Sequence, residues 1–251
     1  MKLKRIHILG LLAATIAAVV WFLITIGEPR YSGKDLTHWL NVAYYTEGPE
    51  QAEARDAIRH IGTNALRALL KMAMAHDSDL KTGLLERMPG GLRHQLGWRT
   101  ESEKFDLAYQ GFRALGPIAI PIVHELIALT DDKNPDIQSC AVQMLSAIGP
   151  SAEKAVPALI RHFNDQDINL QQCVRTALGS IHAQPELVVP LLLASLEWSN
   201  RFQANHISSI VALSNFQDAS SIIVPALVRL QSDSDPATRA CASNSLNAFK
   251  R

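Results

Sequence analysis

Residues 144–160 read Met-Leu-Ser-Ala-Ile-Gly-Pro-Ser-Ala-Glu-Lys-Ala-Val-Pro-Ala-Leu-Ile. Two apolar runs flank a Gly149-Pro150 turn, and Pro157 stands at the head of the second run. Glycine ends a helix readily, and proline is tolerated in a helix's first turn, where its missing N–H costs little. The stretch therefore predicts helix, short turn, helix. The spacing is helical rather than strand-like: Val156, Leu159, Ile160 and Phe163 fall at i, i+3, i+4 and i+7.

Outward from this stretch the same reading recurs. Ala57–Gly62, Gly111–Pro117 and Ala177–His182 repeat its first half, and Ala212–Gln217 and Ser245–Lys250 are weaker copies. The apolar residue before each turn falls at 61, 115, 148, 181, 216 and 249, with gaps of 54, 33, 33, 35 and 33. The apolar residue three positions earlier keeps the same gaps, so two positions hold one register. Pro121, Pro190 and Pro225 head the matching second halves. Polar turns at Asp77–Asp79, Asp165–Asp167 and Asp233–Pro236 join one unit to the next and offer N-caps. A single helix pair cannot hide its apolar stripe, but a stack of pairs can.

On the pattern of residues 144–160 and its copies, the unit resembles the HEAT repeat, in particular the short bacterial form related to phycobilin-lyase-type repeats. The resemblance covers residues 54–251. It implies an all-α fold, an α-solenoid (superhelix) of HEAT-like helix pairs, and says little of function, because such repeats serve many roles. Arg67 stands where the first unit would have proline, and His182 and Gln217 replace the turn glycine of the fourth and fifth, predicting less regular turns there.

The long first gap carries extra chain, read as an inserted helix and loop at about 80–101. Insertions in repeat arrays decorate one face and often bind. The loop's Arg93, His94, Trp98 and Arg99 are therefore candidate partner-binding residues, although an aromatic such as Trp98 commonly packs on its own scaffold. Leu36, Trp39, Leu40, Ala43 and Tyr44 mark an amphipathic helix over 35–46 that reads as an N-terminal cap. The sharper alternative is a docking motif with Tyr31, Lys34 and Trp39 exposed. Residues 28–40 also look like the opening segment of other anchored bacterial HEAT-repeat proteins. A final helix at about 236–249 has no second half and reads as a C-terminal cap, closing a solenoid over 35–251.

Residues 6–26 form an apolar run broken only by His7, Thr15 and Thr25. At 1.5 Å per residue such a helix spans about 31 Å, close to a bilayer's hydrocarbon core. A cleaved signal peptide would need a small-residue cleavage site, and Ile24–Pro29 offers none, so the run reads as one transmembrane helix preceding the solenoid. Lys2, Lys4 and Arg5 favour a cytoplasmic N-terminus over 1–5 and a solenoid on the non-cytoplasmic side, a bias that Arg30 and Lys34 reduce. Residues 27–34 read as a short linker.

Chemistry is sparse. Lys plus Arg and Asp plus Glu both number 24, a balance that argues against a nucleic-acid binder. Cys140, Cys173 and Cys241 each lie eight residues before their unit's turn residue. Stacked helices sit about 8–10 Å apart, too far for neighbours to bridge. They read as small core residues. No zinc, phosphate-loop or nucleophile motif is found, so no catalytic, metal or cofactor site is assigned. Taking the second helices as the inner face adds His124, Glu125, Arg161, His162, Glu197 and Arg229 as candidate partner-binding residues. The expected function is a membrane-anchored scaffold for a protein partner. The alternatives are a phycobilin-lyase-like or chromophore-handling protein, and a purely structural role.

Overall fold

The computed structural model describes residues 28–75, 83, 87–89, 98–197 and 203–250. The apolar run 6–26, most of the insertion and the Asp77–Asp79 turn lie outside them. The stretch expected as linker, 27–34, is described from residue 28 and with Asp35 contains a small antiparallel hairpin, β1 (Arg30–Tyr31) and β2 (Lys34–Asp35). Ser32 and Gly33 turn it at φ 49° and 75°, the positive values that a tight hairpin turn requires. Asp35 then caps α1 (Leu36–Tyr45) through the His38 N–H, and the Trp39 indole N–H donates to the Tyr31 carbonyl. Trp39 is buried, and the Lys34 ammonium lies over its ring.

Among the described residues, five helix pairs follow. They are α2 (Pro49–Ile61) with α3 (Leu66–Ala73), α4 (Glu101–Leu115) with α5 (Ile120–Leu129), α6 (Pro135–Ile148) with α7 (Val156–Arg161), α8 (Ile168–Ile181) with α9 (Pro185–Glu197), and α10 (Gln203–Leu213) with α11 (Ser220–Leu230). The lone α12 (Pro236–Leu246) ends the series and runs into a 3₁₀ turn. Gly62, Gly116 and Gly149 stop α2, α4 and α6 at positive φ, as the Gly and Gly-Pro signals predict. At the fourth unit His182 takes the left-handed conformation itself, at φ 36°. At the fifth, α10 stops at Leu213 and the chain turns through Ser214–Phe216, so Gln217 is spared the strain.

The turns that lead into α6, α8 and α12 share one device. Asn134, Asp167 and Asp235 cap α6, α8 and α12, and Asp132, Asp165 and Asp233, two residues earlier, accept the N–H of each cap in turn. Each turn is thus fixed by two short acceptors, which hold helix N-termini that would otherwise leave donors unpaired. The first helices (α2, α4, α6, α8, α10, α12) pack side by side in one row, and α1 covers α2 and α4 at the row's start. The second helices pack onto the next unit's first helix and meet each other more sparsely. One apolar cluster runs through the stack, from Leu36 and Leu40 through Phe112, Leu145 and Leu178 to Leu227. Among the described residues, Glu101–Leu129 is long and apolar enough to cross a membrane. Gly116 breaks that stretch into α4 and α5, whose apolar residues Leu107, Phe112, Leu115 and Leu126 lie in the core.

Candidate functional site

Four candidates of the second helices, Arg161, His162, Glu197 and Arg229, are engaged across units. Arg161 donates to Asp131 Oδ2 at 2.7 Å, and His162 Nε2 lies 2.9 Å from Asp131 Oδ1. The other ring nitrogen faces Asp165 Oδ2 at 3.3 Å. Arg229 pairs with Glu197 in the same way. Counting from each turn residue, Arg161 and Arg229 occupy one equivalent position, and Asp131 and Glu197 another, so one cross-unit pair is used twice. At the junctions between, Ala128 and Ala194 stand in the arginine's place. Burial pushes the Asp131 carboxyl up, but hydrogen bonds from His162 and Arg161 outweigh it and hold the group below its ordinary range. Asp165 is held low first by the Asp167 N–H and then by His162, against some burial.

The remaining candidates are not gathered. His124 and Glu125 are exposed on α5. Trp98 is exposed and Arg99 half-buried, both just ahead of the Thr100–Glu103 capping box that starts α4, while Arg93 and His94 lie outside the described residues. No cluster of three His, Cys, Asp or Glu side chains among the described residues is placed to hold a metal. The three cysteines are free and half-buried, and Cys173 and Cys241 pack against the core. Burial raises all three thiols, Cys140 to about 11, so they are weak nucleophiles at neutral pH. Arg175 is buried on α8 and laid over the Phe163 ring, where it donates to the carbonyls of Phe163 and Gln171. It closes the end of α7 and faces no open surface.

A different surface emerges on the first helices. Positions twelve, nine, eight, five and one before each turn residue share one helix face, and from α6 to α12 this face is almost free of charge. Pro135–Ile148 carries one charge, the exposed Asp136 of its first turn, and Ile168–Ile181 carries only the buried Arg175. Gln203–Leu213 carries only the imidazole of His206, and Pro236–Leu246 only Arg239, whose guanidinium is bound to the carbonyls of Asp233 and Ser234. The position five before the turn is Gln143, Thr176, Val211 and Asn244 in these four units. Thr176, Val211 and Asn244 are exposed and Gln143 is half-buried. The same register that located the turns picks out these residues, but a search for charged and aromatic residues passes over them.

No protein-family model matches the chain, and no curated protein matches it. Among solved structures it is similar to Kap121p, at 15% identity and a TM-score of 0.52, over 85% of this chain and 25% of that one. It is also similar to an engineered protein, at 19% identity and a TM-score of 0.43, over 86% of this chain and 97% of that one. The fold is a helical-repeat solenoid. The chain thus spans about a quarter of Kap121p, and the likeness is one of architecture. From α6 onward the two helix layers differ in chemistry: in the second, Arg161 and Arg229 are paired with acids of the preceding unit, and the first presents a strip through Gln143, Thr176, Val211 and Asn244 that carries no charge.

Proposed function

We propose that this solenoid is a protein-binding scaffold, tethered to a membrane by residues 6–26, which holds its partner against the first-helix face of α6, α8, α10 and α12. The observation that carries the reading is the uncharged strip through Gln143, Thr176, Val211 and Asn244. Covering a charge with a partner costs its hydration, and the cores of protein interfaces are accordingly depleted of charged residues. A strip of amides, hydroxyls and small apolar groups can be covered at little desolvation cost while still offering hydrogen bonds. The second-helix arginines serve poorly as an alternative, since binding through them means breaking Asp131–Arg161 or Glu197–Arg229.

In-cell photocrosslinking tests this face. A photoreactive amino acid is placed at Thr176 or Asn244, and as a control at the exposed Ala128 or Ala194 on the second helices. Discrete adducts from the first two sites and none from the controls are expected. Adducts only from the controls would move the site to the second layer, and no adduct from any site would defeat the scaffold reading.

A further inference from the structure

The hairpin is fastened to the solenoid along its length. The Thr37 hydroxyl donates to Glu28, the Leu36 N–H to the Pro29 carbonyl at 3.0 Å, and the Trp39 indole N–H to the Tyr31 carbonyl at 3.1 Å. Tyr31 also stacks on His60 of α2, with ring centroids 4.7 Å apart. From Glu28 onward the chain is therefore built into the array.

Glu28 stands two residues beyond the apolar run 6–26. Two residues reach at most about 7 Å. The interfacial layer on each side of a bilayer's hydrocarbon core is about 5–8 Å deep. With the run as a span, the hairpin begins within the headgroups or directly against them.

The groups that the hairpin offers there are cations. Formally, Glu28 and Asp35 balance Arg30 and Lys34. The acids, however, are taken up within the fold, Glu28 by Thr37 and Asp35 by the His38 N–H at 2.8 Å. On α2, Asp56 is paired with Arg59 at 2.8 Å. Arg30 and Lys34 are exposed, and among the described residues neither is ion-paired with a carboxylate. The Lys34 ammonium lies 4.7 Å from the centre of the Trp39 ring, a contact that holds it in place without neutralising it. Guanidinium and ammonium groups bind phosphate oxygens through charge-assisted hydrogen bonds.

We infer that the hairpin is a lipid-binding seat, in which Arg30 and Lys34 hold headgroup phosphates and fix how the solenoid stands on the bilayer, an inference that rests on the tether proposed above. Two cations alone give weak, reversible attachment, so the seat orients what the tether retains.

Hydrogen exchange of the full-length chain in vesicles tests the seat. One set of vesicles is phosphatidylcholine alone, and in the other a third of the lipid is phosphatidylglycerol. Backbone amides of residues 30–45 are expected to exchange several-fold more slowly in the anionic vesicles. Arg30→Gln/Lys34→Gln should abolish that difference, and the charge-keeping Arg30→Lys/Lys34→Arg should retain most of it. Equal exchange in the two lipids, or a difference that survives the glutamine pair, overturns the seat. So does a change in the glutamine pair that is as large over α6 as over the hairpin, since that marks a general loss of stability. Failure of the tether reads differently: the wild-type chain then floats with neither set of vesicles, and the seat falls with it.

Discussion

Gly179 lies where two first helices touch backbone to backbone. A Cβ built there would stand 2.6 Å from Ala212 Cα and 2.7 Å from Ala212 Cβ. Neither atom can swing aside, so α8 and α10 would have to separate. Added volume in a packed core costs about 1–3 kcal/mol, against the gain of about 0.5–1 kcal/mol from replacing a helical glycine. Gly179→Ala is therefore expected to destabilise the chain by about 1–2 kcal/mol, read as a lower denaturant midpoint. Gly111 gives the contrast. Its added Cβ would meet the Leu69 and Leu40 methyl groups, the nearest at 2.4 Å, and these are ends of flexible side chains. Gly111→Ala should cost less than half as much. A second prediction concerns acid. The carboxyl of Asp165 titrates below its ordinary range in the folded chain, chiefly because it accepts the Asp167 N–H. The stability it supplies is complete above the unfolded carboxylate pKa of about 4 and is lost as the pH falls further. Asp165→Asn keeps an oxygen for the Asp167 N–H but removes the charge, so its midpoint should fall less steeply than wild type on acidification below that point.

The α8 N-terminus shows how an element's ends were written in the sequence. Asp167 accepts the Asn169 N–H at 2.8 Å, while its own N–H is held by Asp165. Removal of such a cap costs about 0.5–2 kcal/mol. Asp167→Ala should lower stability by about 1 kcal/mol and Asp167→Ser by only a fraction of that, measured by urea unfolding. The turn acids at 165–167 and 233–236, the glycines at 62, 116 and 149, and the second-helix prolines were all legible, because each acts through local backbone chemistry. The hairpin at 30–35 was not. Strands of two residues leave no alternation to read, and their stability comes from Trp39 and α2 rather than from their own composition. The candidate site was legible only in part. Arg161, His162, Glu197 and Arg229 were singled out because charge on a helix suggests recognition. Yet their partners Asp131 and Glu197 lie about one unit away in the chain, where only the stack brings them close. The uncharged strip could have been found from the turn register, since it needs only the residue five before each turn. Nothing marks a Gln, Thr, Val and Asn as belonging together until the helices are set side by side.

At the scale of the whole molecule, the solenoid and the proposed tether are separable by physical argument. The continuous core begins at Leu36, and the segment before it is fastened locally, by Thr37 to Glu28 and by the Leu36 N–H to the Pro29 carbonyl. A repeat array is stabilised by contacts between neighbouring units, so its helices need no distant anchor to fold. Residues 6–26, by contrast, are predominantly apolar over a length suited to a bilayer, a property of the sequence alone. A chain shortened to 28–251 should therefore keep a strongly helical far-ultraviolet spectrum and a cooperative unfolding transition, and on the proposed tether the full-length protein should sediment with membranes while the shortened chain should not. Continued membrane association of the shortened chain would place the attachment in the solenoid. Loss of its helical signal would mean that the first residues are part of the fold. A reporter fused after Arg251 adds the orientation. Three basic residues precede the apolar run, and positive charge is retained on the cytoplasmic side, so the reporter should be active as in a non-cytoplasmic compartment. Arg30 and Lys34 stand on the far side of the run, and replacing both with glutamine should sharpen that outcome. If the reporter behaves as cytoplasmic in both chains, the charge argument fails and the uncharged face must be sought by partners on the other side of the bilayer.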